Sequence, residues 1–309
     1  MYHIKSIMYH YVRNPENTPF KGIHAVRQQD FIEQVDWLSQ NCEMATLEMI
    51  VDFLNGKYHP VKDLCILTFD DGLKEHAAFV SEVLSERQIQ GQFFIPTACI
   101  EEGYVLPVHK NHFLLATLPF ETYKSQFLDI LGNIAPQLDT EVDKNKVAAT
   151  YRWDKPEVAA FKYLLNYHLP KMVRNKVLKE VFESTFGSEK SFAQSLYLNW
   201  AEARQMQSAG MALGGHSHKH NVLSSLSDEE QENEISTCMT LLRQHTNKQQ
   251  YWPFSYPFGK PNTFNEKTIQ LLQKENIAIA YTSEVGDSQN DQNPFRLKRI
   301  DPKDILINA

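Results

Sequence analysis

The stretch Cys65-Ile66-Leu67-Thr68-Phe69-Asp70-Asp71-Gly72 constrains the fold of this chain more than any other. Its apolar run reads as a buried strand, and the glycine marks where the backbone turns sharply out of a sheet. In α/β folds the carboxyl end of such a strand is where chemistry is usually placed. Neighbouring residues of a strand face opposite ways, but where the strand turns into a loop both carboxylates can reach one pocket. Two adjacent carboxylates repel unless a positive group lies beside them, and a metal ion would meet that need.

The rest of the chain supplies the frame. Alternating apolar residues among the first dozen suit a strand, and Arg13 to His24, with Pro15, Pro19 and Gly22, reads as a loop. A helix is expected from Asp30, with Glu33 three residues on as a capping box, and another over about 46–54. After the Asp-Asp strand come a helix over about 76–87 and a strand over 91–96. This alternation predicts an α/β fold with a mainly parallel sheet. Residues at about 104–195 break the rhythm with helical spacing and charged intervening residues, so they read as a helical insertion in one domain spanning 1–309. Alternation resumes with a helix over 200–206, a strand ending at Gly214 and a helix over about 227–245. Strands follow near 254–256, 277–282 and 295–300.

With 309 residues the chain can bury a sizeable core, and its net charge of −7 argues against a nucleic-acid partner. Cys42, Cys65, Cys99 and Cys238 form no C-x-x-C pair and read as small core residues. No segment approaches the ~18 apolar residues of a membrane span, and the first ten residues lack a signal-peptide pattern, so a soluble cytoplasmic protein is expected.

Gly214-Gly215-His216-Ser217-His218-Lys219-His220 forms a second chemical cluster, again after an apolar strand. A helical turn would bring His216 and His220 to one side as ligands of one divalent ion, with His218 facing elsewhere. One carboxylate and two imidazoles leave positions open for water and substrate, as catalytic sites require. Alone, each motif is ambiguous: a histidine pair can sit on a surface, and Asp-Asp-Gly can be a turn. Together, after two buried strands, they point to a metal site.

Thr68-Phe69-Asp70-Asp71-Gly72 and His216-Ser217-x-x-His220 resemble the two defining motifs of the polysaccharide deacetylases, carbohydrate esterase family 4. Phe254-Ser255-Tyr256-Pro257-Phe258-Gly259 resembles a third, and the likeness covers about 1–103 and 196–305. The resemblance implies a distorted (β/α)7 barrel that removes an acetyl group from an N-acetylated sugar with zinc or another divalent ion. It implies Asp70 as general base, Asp71, His216 and His220 as metal ligands, and the Phe258 N–H after Pro257 as oxyanion donor. Two departures stand out. The family's arginine before the aromatic-proline pair is Ser255 here, which leaves Arg299 either as its replacement or as a structural residue. The late L-x-H acid is absent, and His10, in a permuted setting seen in the poly-N-acetylglucosamine branch, takes that place or is a buried strand-capping histidine.

Tyr9 and Tyr256 flank these residues and are candidate pocket walls. His109, Lys110 and His112, like Trp153 and Asp154, either contact substrate or solvate a loop. The expected substrate is an N-acetylated sugar, sugar nucleotide or lipid-linked aminosugar in surface-polysaccharide synthesis. A deformylase, a cyclic-amide hydrolase and a catalytically impaired sugar-binding protein are the competing readings.

Overall fold

The structure is a computed structural model and describes residues 2–150 and 155–305. Its strands are β1 (Ile4–Tyr9), β2 (Glu43–Met44), β3 (Leu64–Phe69), β4 (Gly91–Ile95), β5 (Ala212–Gly215), β6 (Trp252–Ser255), β7 (Ile277–Val285) and β8 (Leu297–Arg299). The parallel order is β1-β3-β4-β5-β6-β7-β8, with β2 attached to the start of β3. A parallel bridge between Ile7 and Ile300 joins the first strand to the end of the last. There the Met8 N–H donates to the Ile300 carbonyl at 2.9 Å and the Ile300 N–H to the Ser6 carbonyl at 2.8 Å. The seven strands thus form a nearly closed (β/α)7 barrel surrounded by helices.

All residues of β3 and β4 are buried, as parallel strands covered on both faces require. The period of two then sorts them. Cys65, Leu67 and Phe69 pack outward with helix residues Val35, Leu38, Val80 and Leu84. Leu64 and Ile66 pack with Phe94, Tyr281 and Leu297 in a separate cluster. Continuing that second face through Thr68 reaches Asp70, so the strand itself aims the first carboxylate at the barrel interior.

Contacts divide the chain into two units: Met1–Asn14, His24–Tyr104 and Ala193–Ala309 in one, Pro15–Ile23 and Val105–Phe192 in the other. The second unit is helical, as the 104–195 periodicity predicts, and contains no strand among the described residues. Phe20 packs edge-on against Phe113 at 4.7 Å, which ties the 15–23 loop to this unit. His109 and Lys110 are buried in the helix Pro107–Thr117 and do not solvate a loop, while His112 is exposed on it. Lys110 Nζ meets Glu189 Oε1 at 2.7 Å, and the Val105 N–H donates to the same oxygen at 2.9 Å. Trp153 and Asp154 lie outside the described residues.

Two local expectations change. The first helix is Gln28–Asn41, capped at Arg27 without a side-chain bond, so Asp30 lies inside its first turn and no capping box forms there. A carboxylate in that turn still favours the helix dipole. The helix after β3 opens with a π-helical turn, His76–Val80, before the α-helix Ser81–Glu86. Among the described residues no helix is long and apolar enough to cross a membrane.

Candidate active site

Both chemical motifs leave their strands through left-handed backbone. Asp71 has φ 75°, Ser217 59°, His220 55° and Phe258 63°, four of the six non-glycine residues with positive φ among those described. Such conformations cost of order 1–3 kcal/mol each for ordinary residues and concentrate at functional sites. Phe258 is the least expected, since bulky side chains rarely adopt this region.

Asp70 continues the β3 ladder, its N–H donating to the Tyr9 carbonyl at 3.0 Å. The reversed φ of Asp71 then turns the second carboxylate toward the histidines, whose strand β5 ends in two glycines. A side chain at Gly214 would approach the Pro253 carbonyl to 2.6 Å, and one at Gly215 would meet Met239 Sδ at 2.8 Å. Only glycine lets β5 lie this close to its neighbours and deliver His216 at the strand end.

His216 and His220 do converge, but through a bend with two left-handed residues rather than the expected helical turn. Side-chain and helix contacts hold that bend. The Ser217 hydroxyl accepts from the His220 N–H at 2.9 Å, and Glu234 accepts from the Lys219 N–H at 2.8 Å. The Ala98 N–H donates to the His218 carbonyl at 2.9 Å. The His218 ring faces away, bonded to Glu102 and Thr97.

Asp71 Oδ1 lies 3.6 Å from His216 Nε2 and 3.7 Å from His220 Nε2. These separations are too long for hydrogen bonds. They do match ligand atoms around one ion, because tetrahedral bonds of about 2.0–2.1 Å separate neighbouring ligands by ~3.4 Å. All three residues are buried, and their ligand atoms lie within 4.8 Å of one another. His216 Nδ1 donates to the Ser255 carbonyl at 2.7 Å, which leaves Nε2 bare for a metal. Ser255 thus holds a ligand through its backbone where the sequence pattern expects an arginine. The donor set fits a divalent ion with open positions.

Arg299 is the cation that meets Asp70. Its Nη1 donates to Asp70 Oδ1 at 3.0 Å and its Nη2 lies 2.8 Å from Oδ2, with both side chains almost fully buried. Arg299 Nε donates to the Thr282 carbonyl at 2.7 Å, which fixes the fork. Burial would raise the Asp70 carboxyl, but Arg299, helped by His216 and His10, outweighs it and holds the pKa at about 2. Asp70 is therefore ionised at neutral pH and available to accept a proton.

His10 stands beside this pair, Nε2 3.9 Å from Asp70 Oδ2, with 43% of its side chain exposed. That exposure departs from the buried strand-capping alternative. Pro257 is buried, and the exposed Phe258 ring lies 4.9 Å from the His220 ring. Gly259, at φ 66°, sits so close to β7 that a side chain would approach the Ser283 nitrogen to 2.6 Å. Tyr9 and Tyr256 are not pocket walls. Their hydroxyls donate to Gln34 and to the Phe295 carbonyl, and Tyr256 stacks on Phe264 at 3.9 Å within the outer core.

For His216 burial disfavours the charged ring, but the carboxylates of Asp70 and Asp71 outweigh it and raise the pKa. A metal must displace that proton, so divalent-ion affinity is expected to fall as pH falls through the raised pKa. The expected loss is about tenfold per pH unit on the acid side of that pKa. Calorimetric titration at several pH values checks this, and an affinity independent of pH would refute it.

The sequence model described as polysaccharide deacetylase matches residues 163–280, which include both histidines and Phe258 but begin beyond Asp70 and Asp71. YxkH of Bacillus subtilis (strain 168), named for the same family, is 26% identical over 111 residues. That alignment spans 36% of this chain and 38% of YxkH. Among solved structures, the Streptococcus pyogenes deacetylase PplD, in complex with acetate, aligns with a TM-score of 0.61 at 15% identity. The alignment covers 97% of this chain and 95% of PplD. IcaB from Ammonifex degensii gives 0.58 at 15% identity, over 97% and 92%. The BpsB deacetylase domain from Bordetella bronchiseptica gives 0.57 at 14%, over 96% and 94%. These structures share the fold.

Proposed function

We propose that this chain, whose residues 163–280 match the polysaccharide deacetylase model, is a metal-dependent hydrolase that removes the N-acetyl group of an aminosugar. The observation that carries this reading is one cluster holding an ionised, arginine-paired Asp70, the Asp71-His216-His220 ligand set and the exposed His10. A bound divalent ion, zinc by the donor set, would supply Lewis-acid polarisation of the acetamide carbonyl and a more acidic water.

The protein's own groups carry the remaining steps. Asp70, locked by Arg299, accepts a proton from the water that adds to the carbonyl carbon. The Phe258 N–H, which meets no backbone acceptor among the described residues, is the donor for the developing oxyanion. When the C–N bond breaks, the sugar nitrogen needs a proton, and His10, beside Asp70, donates it. The fixed Arg299 fork supports an active enzyme over an impaired sugar-binding protein, because it gives Asp70 a cation although this chain has Ser255 where the family motif carries an arginine.

The proposed setting is surface-glycan synthesis, with a sugar nucleotide or a lipid-linked aminosugar among the substrates. Acetate release from N-acetylaminosugars, their oligomers, nucleotide derivatives and lipid-linked forms tests the reading and ranks these classes. Release is expected to stop with a chelator and return with zinc. Formate from N-formyl sugars without acetate from N-acetyl sugars would replace deacetylation with deformylation, and ring opening of a cyclic amide would do the same. Turnover unaffected by metal removal would overturn the metal-dependent reading.

A further inference from the structure

The turn after the two carboxylates buries a histidine that this mechanism does not use. His76 is completely buried, its ring 5.6 Å from that of Phe69 and 5.7 Å from that of Phe93. Its Nε2 lies 2.9 Å from the carbonyl oxygen of His10, while its Nδ1 has no hydrogen-bond partner among the described residues. A carbonyl can only accept, so Nε2 carries the proton and Nδ1 is bare. Leaving a ring nitrogen buried and unpartnered costs stability that an apolar side chain in the same space would not. The one polar contact that offsets this cost points at His10.

The adjacent residue acts on the same segment. Glu75 accepts from Arg13 Nε and Nη2, each at 2.7 Å, in a two-pronged bond. Glu75 and His76 therefore grip the chain at positions 13 and 10, just beyond the end of β1. The π-helical turn that begins at His76 is a rare geometry, found often at functional sites. His10 needs such support. Its ring is 43% exposed and lies 3.9 Å from Asp70, so its place is set largely by its backbone.

We propose that His76 is a positioning residue, which holds the His10 carbonyl and so fixes where the His10 imidazole stands relative to Asp70 and the leaving nitrogen. This rests on His10 being the proton donor proposed above. The comparison is between His76→Leu, which fills the space without a donor, and His76→Gln, which keeps an N–H near the position of Nε2.

With the best N-acetylated substrate, His76→Leu is expected to lower kcat about tenfold, since small misplacements of a reacting group carry losses of this order. KM and metal content should stay unchanged, and His76→Gln should recover most of the rate. In a His10→Ala background, His76→Leu should have no further effect on kcat. Equal losses in the two His76 variants, or the same loss with and without His10, would overturn the proposal. Should His76→Leu fail to fold, Glu75→Gln, which loosens the other grip, is expected to lower kcat only when His10 is present. Loss of rate in its absence, or no loss at all, would count against the proposal.

A crystal structure of the His76 variant supplies the arm that needs no activity. The His10 ring should leave its position beside Asp70, and an unmoved ring would refute positioning. If the wild type released acetate from no sugar tested, the deacetylase reading would fail while this structural comparison would still decide the role of His76.

Discussion

Asp71→Ala is expected to lose bound divalent metal and turnover together, whereas Asp70→Asn should lose turnover with its metal content intact. The two carboxylates are neighbours in sequence, yet their surroundings differ completely. Asp71 Oδ1 faces two imidazole nitrogens at 3.6 and 3.7 Å, and Asp70 faces the Arg299 fork at 2.8 and 3.0 Å. An asparagine at position 70 preserves shape but cannot accept the proton of the attacking water. General-base catalysis contributes about 10²–10⁴-fold, so kcat should fall by that factor. Metal content measured at equal protein concentration, alongside acetate release, separates the two roles. If Asp70→Asn lost metal as readily as Asp71→Ala, or kept a substantial part of the wild-type rate, the division of labour would be wrong.

Much of this arrangement was legible in the sequence because strands impose a simple rule. Once Leu64 to Phe69 is a buried strand, alternation places Asp70 on the interior face, and the following glycine announces the turn that frees Asp71. The Gly214-Gly215 pair likewise marks where His216 emerges. The route from His216 to His220 was not legible. Spacing by four suggests a helical turn, but left-handed conformations at Ser217 and His220 produce the same convergence, and neither position is the glycine that would announce them.

Long-range closure explains the other gaps. Arg299 and Asp70 are 229 residues apart, and only the joining of β1 to β8 makes them neighbours. An isolated arginine on a last strand therefore reads equally well as surface or site. Tyr256 fails for a related reason: the motif places it beside Pro257 and Phe258, but alternation turns its ring into the outer core. His76 has no signature at all, since one buried histidine in an apolar helix start carries no period.

Arg299→Met is expected to destabilise the protein by about 3–5 kcal/mol at neutral pH, as removal of one partner from a buried ion pair typically does. The substitution leaves the Asp70 carboxylate buried and opens the Thr282 carbonyl, which now accepts from Arg299 Nε. Its pH dependence follows from the sign of the Asp70 shift. In the wild type the pKa is lowered from 3.8 to about 2, so the carboxylate contributes stability above pH 3.8 that is lost as pH falls toward 2. Without Arg299 the burial contribution, which raises the pKa, is opposed only by His216 and His10. The carboxyl then takes up a proton at higher pH, and the penalty of burying its charge shrinks as the solution is acidified. The stability difference between variant and wild type should therefore narrow from neutral toward acid pH, while the acid limb of kcat/KM moves to higher pH. Arg299→Lys should recover only part of either effect, because an ammonium cannot reproduce the two-pronged contact with both carboxylate oxygens. Urea unfolding of the three proteins at several pH values measures the first effect, and rate profiles measure the second. A loss of less than about 1 kcal/mol, the range of exposed ion pairs, would mean that Arg299 is not what holds Asp70 ionised.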